Sequence, residues 1–267
     1  MMDPRRNIYF FYKHSDHLEQ KIASLIDLAK QFDFRPVEDW RHANIIVAIG
    51  GDGTFLQAVR KTQFRDDCLY IGIATEGHIS FYCDFHIDQK DKLVEAFQLE
   101  KVEVRRYPTI DVTVDHEVKI SCLNECSVRS AIIKTFVLDV FIDDMHFETF
   151  RGDGMIIATP TGSTAYNKSV KGAVVDPLID CLQVTELASL NNNLYRTLGS
   201  SFILSGNRKL TLKVVQDGND YPIIGMDNEA LSIRHVNQLD IELGKKKIKT
   251  VKLKDNSFWD KVKRTFL

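Results

Sequence analysis

The apolar run Ile45-Ile46-Val47-Ala48-Ile49 leads without a break into Gly50-Gly51-Asp52-Gly53-Thr54, and Phe55, Leu56 and Val59 then start a helical pattern. A buried strand that ends in glycines and turns at once into a helix lets the backbone approach a ligand closely. It also presents the N–H groups of a helix N-terminus, a geometry suited to phosphate. The spacing is not Gly-x-Gly-x-x-Gly, and no Gly-Lys-Ser/Thr follows, so neither the dinucleotide fingerprint nor the P-loop is present. The unusual member is Asp52. A carboxylate in a phosphate turn repels its ligand unless it takes a proton from an attacking hydroxyl or holds a metal. The alternative is an Asp that caps the helix behind it.

A second stretch reads Arg151-Gly152-Asp153-Gly154, then the short apolar strand Met155–Ala158, then Thr159-Pro160-Thr161-Gly162-Ser163-Thr164-Ala165-Tyr166-Asn167-Lys168-Ser169. Its hydroxyl-rich turn runs into a helix around Thr164–Ser169 and offers N–H and O–H donors to phosphate or ribose. Taken alone it also fits an ordinary capped turn. The third is Asn124-Glu125 at the end of an expected strand Lys119–Leu123, one amide and one carboxylate suited to a ribose or base edge.

The elements around these stretches change character along the chain. In the first hundred residues strands (Ile8–Tyr12, Asn44–Ile49, Leu69–Ile73) alternate with helical patterns (Asp16–Gln31, Asp88–Leu99), the signature of a parallel sheet covered by helices. After Glu100 the apolar period is two, through Val102–Ile120, Thr135–Ile142, Met145–Phe150, Leu210–Val215, Ile233–Val236 and Leu239–Leu243. Turn signals at Gly206-Asn207 and Asp217-Gly218 separate the runs. The expected domains are therefore 1–101, α/β and Rossmann-like or flavodoxin-like, and 102–254, mostly β. A helix over 255–267, capped by Ser257 and apolar at Phe258, Val262 and Phe266, docks back on the body of the protein. Lys261, Lys263 and Arg264 lie opposite that stripe, and Lys252 with Lys254 reads as a solvated strand face.

Composition narrows the classes. The 267 residues are 44% hydrophobic and 27% charged, with 35 Lys+Arg against 37 Asp+Glu, an ordinary globular balance without the basic surplus of a nucleic-acid binder. No apolar run reaches the ~20 residues of a membrane span or the ~7–15 of a signal h-region. The five cysteines contain no Cys-x-x-Cys pair and read as buried free thiols in a reducing, cytoplasmic setting. His78 lacks a partner at metal spacing and reads as a loop histidine.

Together, Gly50–Leu56, Asn124-Glu125, Arg151–Gly154, Thr159–Ser169 and Leu187–Asn192 resemble the NAD kinase family in this order over nearly the whole chain. The whole chain resembles the short form of Gram-positive bacteria, including its closing Phe258-Trp259 helix. The resemblance implies transfer of a phosphoryl group from ATP to the 2′-hydroxyl of the adenosine ribose of NAD, with a divalent cation, usually magnesium. Asp52 is then the base, with Gly53 beside it. Asn124, Glu125 and Phe81 face the adenosine part. Arg151 and Asp153 help close a site often built across a subunit interface of a tetramer or dimer. Thr164, Ala165, Tyr166, Asn167, Lys168 and Ser169 line the adenine and ribose pocket, and Ala188 adds a wall. The chain departs from the family pattern at Ser80, which stands for a glycine, at Glu76, which reads as inserted, and at Asn228 after Asp227.

Two other functions share part of these features. A lipid kinase also carries Gly-Gly-Asp-Gly, but the sequence offers no amphipathic surface helix with a basic face. A non-catalytic NAD(P)-binding regulator would have no need of Asp52 in its phosphate turn.

Overall fold

In a computed structural model of the chain, which describes residues 6–77, 80–215, 222–232 and 236–267, the first apolar run forms strand β1 (Asn7–Tyr12). Helix α1 (Glu19–Gln31), β2 (Arg35–Pro36), β3 (Ile45–Ile49), α2 (Asp52–Lys61), β4 (Leu69–Ala74), β5 (Cys83–His86) and α3 (Lys90–Gln98) follow. Strands β2, β1, β3 and β4 lie side by side in that order, all parallel, and β5 adds to β4. This is a doubly wound order of the flavodoxin type, in which ligands sit at the carboxyl ends where the order reverses. That reversal lies between β1 and β3, and β3 runs there into Gly50–Asp52. Strands buried on both faces need apolar residues at every position, and β3 and β4 are nearly continuous Ile, Val, Ala and Leu.

Strand β6 (Val102–Val114) begins the β-rich part, followed by β7 (Val118–Cys122), β8 (Glu125–Arg129), β9 (Phe136–Ile142), β10 (Met145–Gly152) and β11 (Gly154–Ala158). After a 3₁₀ turn at Thr161–Thr164 and the single-turn α4 (Tyr166–Ser169) come β12 (Cys181–Leu187), β13 (Phe202–Ser205), β14 (Leu210–Val214), β15 (Ile223–Met226), β16 (Glu229–Ser232) and β17 (Gln238–Leu253). One antiparallel sheet has the order β13-β12-β11-β8-β15-β16, with β11 fully buried. Phe136, Leu138, Phe150, Met155, Ile157, Leu182 and Leu212 fill the core of this part. The Asp217-Gly218 turn, residues 233–235 of the Ile233–Val236 run and His78 lie outside the described residues. All five cysteines are free and buried, with Cys122 and Cys126 in the β core.

The chain forms two compact units, Met1–Tyr107 with Lys246–Leu267, and Pro108–Lys245. The divisions fall inside the long strands β6 and β17, not at 101 and 254. The last part of β17 pairs in parallel with β4, Lys249 opposite Leu69, so residues 246–254 join the α/β unit. Helix α5 (Phe258–Phe266) belongs to that unit as well, with Ser257 and Asp260 forming a capping box at its start. No helix among the described residues is long and apolar enough to cross a membrane.

Two lysines depart from the sequence reading. Lys252 is not on a solvated face, and Lys261 is not on an exposed side of α5: they are 0% and 2% exposed. Both reach Asp84 of β5, whose side chain is fully shielded. Lys252 Nζ lies 3.3 Å from Asp84 Oδ1, and Lys261 pairs with the same oxygen. Local periodicity makes such lysines look exposed, because their partner Asp84 lies 168 and 177 residues away in the chain. Removing one partner of a buried ion pair typically costs ~3–5 kcal/mol. Asp84→Ala, which strands two buried ammonium groups, is therefore expected to lose that much. A urea unfolding midpoint within error of the wild type would contradict it.

Candidate active site

Asp52 is the first residue of α2, and Gly51 is the N-cap. Gly50 makes the turn possible: its φ is +153°, and a Cβ there would overlap the Thr54 side chain. Gly51 and Gly53 face open space: among the described residues, nothing beyond their chain neighbours and the backbone of α2 lies within 4 Å of where a Cβ would stand. The Asp52 carboxylate reaches into the segment before β5. Oδ2 accepts the Phe81 N–H at 2.8 Å. Oδ1 accepts the Tyr82 N–H at 2.8 Å and also the Ser80 hydroxyl. Ser80 Oγ in turn accepts the Cys83 N–H at 2.8 Å. Three donors thus fix the carboxylate beside the N-terminus of α2, where the helix dipole favours anions. Ser80, read from the sequence only as a departure from a glycine, is one of the groups that hold Asp52.

Phe81, expected near a ligand, is half-buried and packs its ring against Phe258 and Phe266 of α5, with centroids 5.7 and 6.1 Å apart. Tyr82 stacks on Phe55 of α2 at 4.8 Å. The segment that holds Asp52 is therefore itself held by α2 on one side and α5 on the other.

In the second unit, strand β7 ends at Cys122, so Asn124 lies in the turn and Glu125 opens β8. Asp227 organises this turn. Its Oδ1 accepts N–H groups from Leu123, Asn124 and Glu125 at 3.1, 2.7 and 3.3 Å. The hydroxyl-rich turn packs on the same spot: Thr159 N–H donates to the Asn124 carbonyl at 2.8 Å and its hydroxyl to the Leu123 carbonyl at 2.7 Å. A Cβ on Gly162 would collide with the Asn124 backbone, so only glycine permits this approach. Asn124, Glu125 and Thr159–Thr164 thus gather at the end of β11, where Ala158 pairs with Glu125.

Arg151, Asp153 and Ala188 gather at the other end of β11, where Gly154 pairs with Leu187. Four residues of strand put the two groups about 13 Å apart. Arg151 lays its guanidinium over the Tyr195 ring at 4.2 Å, while Asp153 stays exposed. Exposed Ala188 adopts φ +45°. The 164–169 segment divides by role. Tyr166 is half-buried, and its hydroxyl accepts a hydrogen bond from Arg129 at 3.4 Å. Thr164, Ala165 and Lys168 are partly exposed, and Ser169 is exposed. Asn167 is 0% exposed: its amide donates to the Ser163 and Ala173 carbonyls and accepts from Thr185, so it shapes the turn. Among the described residues, the one group of three His, Cys, Asp or Glu donors close enough to hold a cation is exposed His14, Asp16 and Glu19.

Comparison with known proteins gives the family and the fold. The model of the ATP-NAD kinase C-terminal domain matches residues 123–253. NAD kinase 2 of Bacillus subtilis is 67% identical over 267 residues, covering the whole of both chains. NAD kinase 2 of Geobacillus kaustophilus is 62% identical, again over the full length of both. Among solved structures, yeast NADH kinase complexed with NADH superposes with a TM-score of 0.78 at 19% identity, over 98% of this chain and 88% of that one. An NAD kinase from Archaeoglobus fulgidus in complex with ATP gives 0.74 at 22% identity, over 96% and 98%. At these identities the two structures speak to the fold.

Glu125 yields a test that needs no substrate. Burial, with Asp227 beside it, pushes its carboxyl up from about 4.5 to about 8, and its Oε2 has no hydrogen-bond partner among the described residues. A carboxyl whose pKa rises on folding favours the folded state at low pH, and that contribution is lost as pH climbs through the folded value. Between about pH 5 and 8 the wild type is expected to lose stability relative to Glu125→Gln, on the order of 3 kcal/mol. Parallel Tm-against-pH curves for the two proteins would remove this account of Glu125.

Proposed function

The chain belongs to the NAD kinase family, and from that premise we propose that it transfers the γ-phosphoryl group of ATP to the 2′-hydroxyl of the adenosine ribose of NAD. The products are NADP and ADP. The observation that carries this reading is the Asp52 carboxylate, oriented by the Phe81 and Tyr82 N–H groups between two glycines that face open space. A base there takes the proton of the 2′-hydroxyl as its oxygen attacks phosphorus and ADP departs.

Asn124 and the Glu125 carboxyl recognise the adenosine part of NAD. The unpartnered, buried Oε2 of Glu125 supports this role, since a buried acceptor without a donor gains from a ligand hydroxyl or amine. Tyr166 covers the adenosine, with Thr164, Ala165, Lys168 and Ser169 beside it, and Asn167 holds their turn in shape. Gly53 lets phosphate approach the backbone, and Phe81 gives the acceptor an apolar edge. A divalent cation, magnesium, would accompany ATP, and the chemistry it would supply is neutralisation of phosphate charge. The donors around Asp52 are N–H and O–H groups, which suit an anion, so we place no resident cation on that carboxylate. The reaction runs in the cytoplasm.

We also read the active form as a homo-oligomer, a tetramer or dimer, with Arg151, Asp153 and Ala188 serving a neighbouring chain's site. Their distance from Asn124 and Glu125 along β11, and the exposure of Asp153, support that division.

Incubation with ATP, magnesium and NAD is expected to yield NADP, and its absence would overturn the assignment. Asp52→Asn cannot accept protons, and its NH₂ group must face one of the Ser80, Phe81 or Tyr82 donors. Turnover is expected to fall ~10²–10⁴-fold while NAD binding stays within several-fold. Near wild-type turnover would refute Asp52 as the base.

Mixing tests the shared site. Asp52→Asn and Asp153→Ala proteins, refolded together, are expected to recover activity that neither has alone. Exchanged subunits without recovery, or a fully active monomer, would sink it.

A further inference from the structure

The first unit contains a charged cluster that the reaction itself does not use. Lys252 Nζ donates to the carbonyls of Phe81 and Tyr82 at 2.8 and 2.7 Å, and Lys261 Nζ donates to the Phe81 carbonyl at 2.9 Å. Asp84 joins the two ammonium groups and also accepts the Leu253 N–H at 2.8 Å. The N–H groups of the same two residues, Phe81 and Tyr82, are the ones that hold Asp52. A carbonyl bound to an ammonium group cannot swing without breaking a charge-assisted bond in a shielded place, so the attached backbone loses its freedom.

We propose that Lys261, carried on the C-terminal helix, is a positioning residue for phosphoryl transfer: with Lys252 it clamps the Phe81–Tyr82 backbone so that its N–H groups aim the Asp52 carboxylate at the acceptor hydroxyl. This rests on the reading of Asp52 as the base. The Phe258 and Phe266 rings of the same helix pack on Phe81, so α5 grips this segment both by its side chain and by its carbonyl. A tail helix thereby becomes part of the catalytic geometry without touching a substrate.

The cluster is built asymmetrically. Two ammonium groups share one carboxylate, a net positive charge in a place closed to water. Burial, and next to it the charge of Lys252, pulls Lys261 down to about 7, whereas at Lys252 burial is outweighed only by Asp84 together with Tyr107, Cys83 and Asp52, and the net direction is upward. Lys252 is thus the permanent partner of Asp84. Replacing Lys261 by an apolar side chain leaves a balanced Asp84–Lys252 pair, so that variant is expected to fold. Lys261 is also the member that can be removed without stranding a charge.

The test compares wild type, Lys261→Met, Lys261→Gln, Asp52→Asn and the Asp52→Asn/Lys261→Met double variant. Lys261→Met is expected to lower kcat roughly tenfold or more, with KM for NAD and ATP within about threefold, because orientation and not binding is lost. Amide hydrogen exchange at Phe81 and Tyr82 is expected to speed up about tenfold, while β3 and β4 keep their protection. Lys261→Gln retains N–H donors for the Phe81 carbonyl and is expected to regain part of kcat. In the double variant the Lys261 loss should vanish, since aiming a missing base has no effect.

Unchanged exchange at Phe81 and Tyr82, or losses that simply multiply in the double variant, would overturn the clamp. If Lys261→Met does not fold, failure of Lys261→Gln to change either kcat or that exchange overturns it equally. Failure of the underlying reading looks different: Asp52→Asn alone would then turn over like the wild type, and the exchange measurement would judge the clamp by itself.

Discussion

The peptide groups of Phe81 and Tyr82 are bound by charge on both sides. Their N–H groups end on the Asp52 carboxylate, and their carbonyls end on the ammonium groups of Lys252 and Lys261. Each of these bonds is charge-assisted, and such bonds are about twice as strong as neutral ones. The arrangement needs full burial of Asp84, Lys252 and Lys261, and burial of charge is tolerated only when every member has a partner. Here every member does. The glycine turn after β3, the segment before β5, the end of β17 and helix α5 are therefore linked through two residues of backbone. None of these elements can shift without disturbing the group that orients Asp52.

The same device recurs elsewhere in the chain. Asp227 accepts three consecutive N–H groups from Leu123, Asn124 and Glu125, and Asp115 accepts those of Asn237 and Gln238. In each case a short carboxylate, set in a tight turn with positive φ, closes a turn more than a hundred residues away. Backbone N–H groups at strand ends have no ladder partner, and a carboxylate satisfies two or three at once. Glu125 is the contrast. It is buried in the same region but has an acceptor oxygen without a donor, and burial raises its pKa. Asp227 and Asp115 each collect two or three N–H donors, whereas Glu125 Oε2, like Glu148 Oε1, has no hydrogen-bond partner among the described residues.

The amino-acid sequence by itself determined the local pieces. Glycines at 50, 51 and 53 behind an apolar strand dictate a turn into a helix, because only glycine tolerates the φ of Gly50 and the packing on Thr54. Period two after Glu100, the buried cysteines and the Ser257 cap were legible for the same reason: each depends on neighbours within a few residues. The order of the motifs was enough to indicate the family. Tertiary structure alone decided the rest. Lys252 and Lys261 read as surface charges, since nothing nearby in sequence reveals Asp84. Ser80 read as a missing glycine, although its hydroxyl reaches Asp52. Asn167 read as a pocket residue, although its amide is consumed by Ser163, Ala173 and Thr185. The unit boundary moved because β17 ends beside β4, a pairing between residues 180 positions apart. A side chain's burial and partners are set by which distant strands the chain brings beside it, and spacing along the chain carries no record of that.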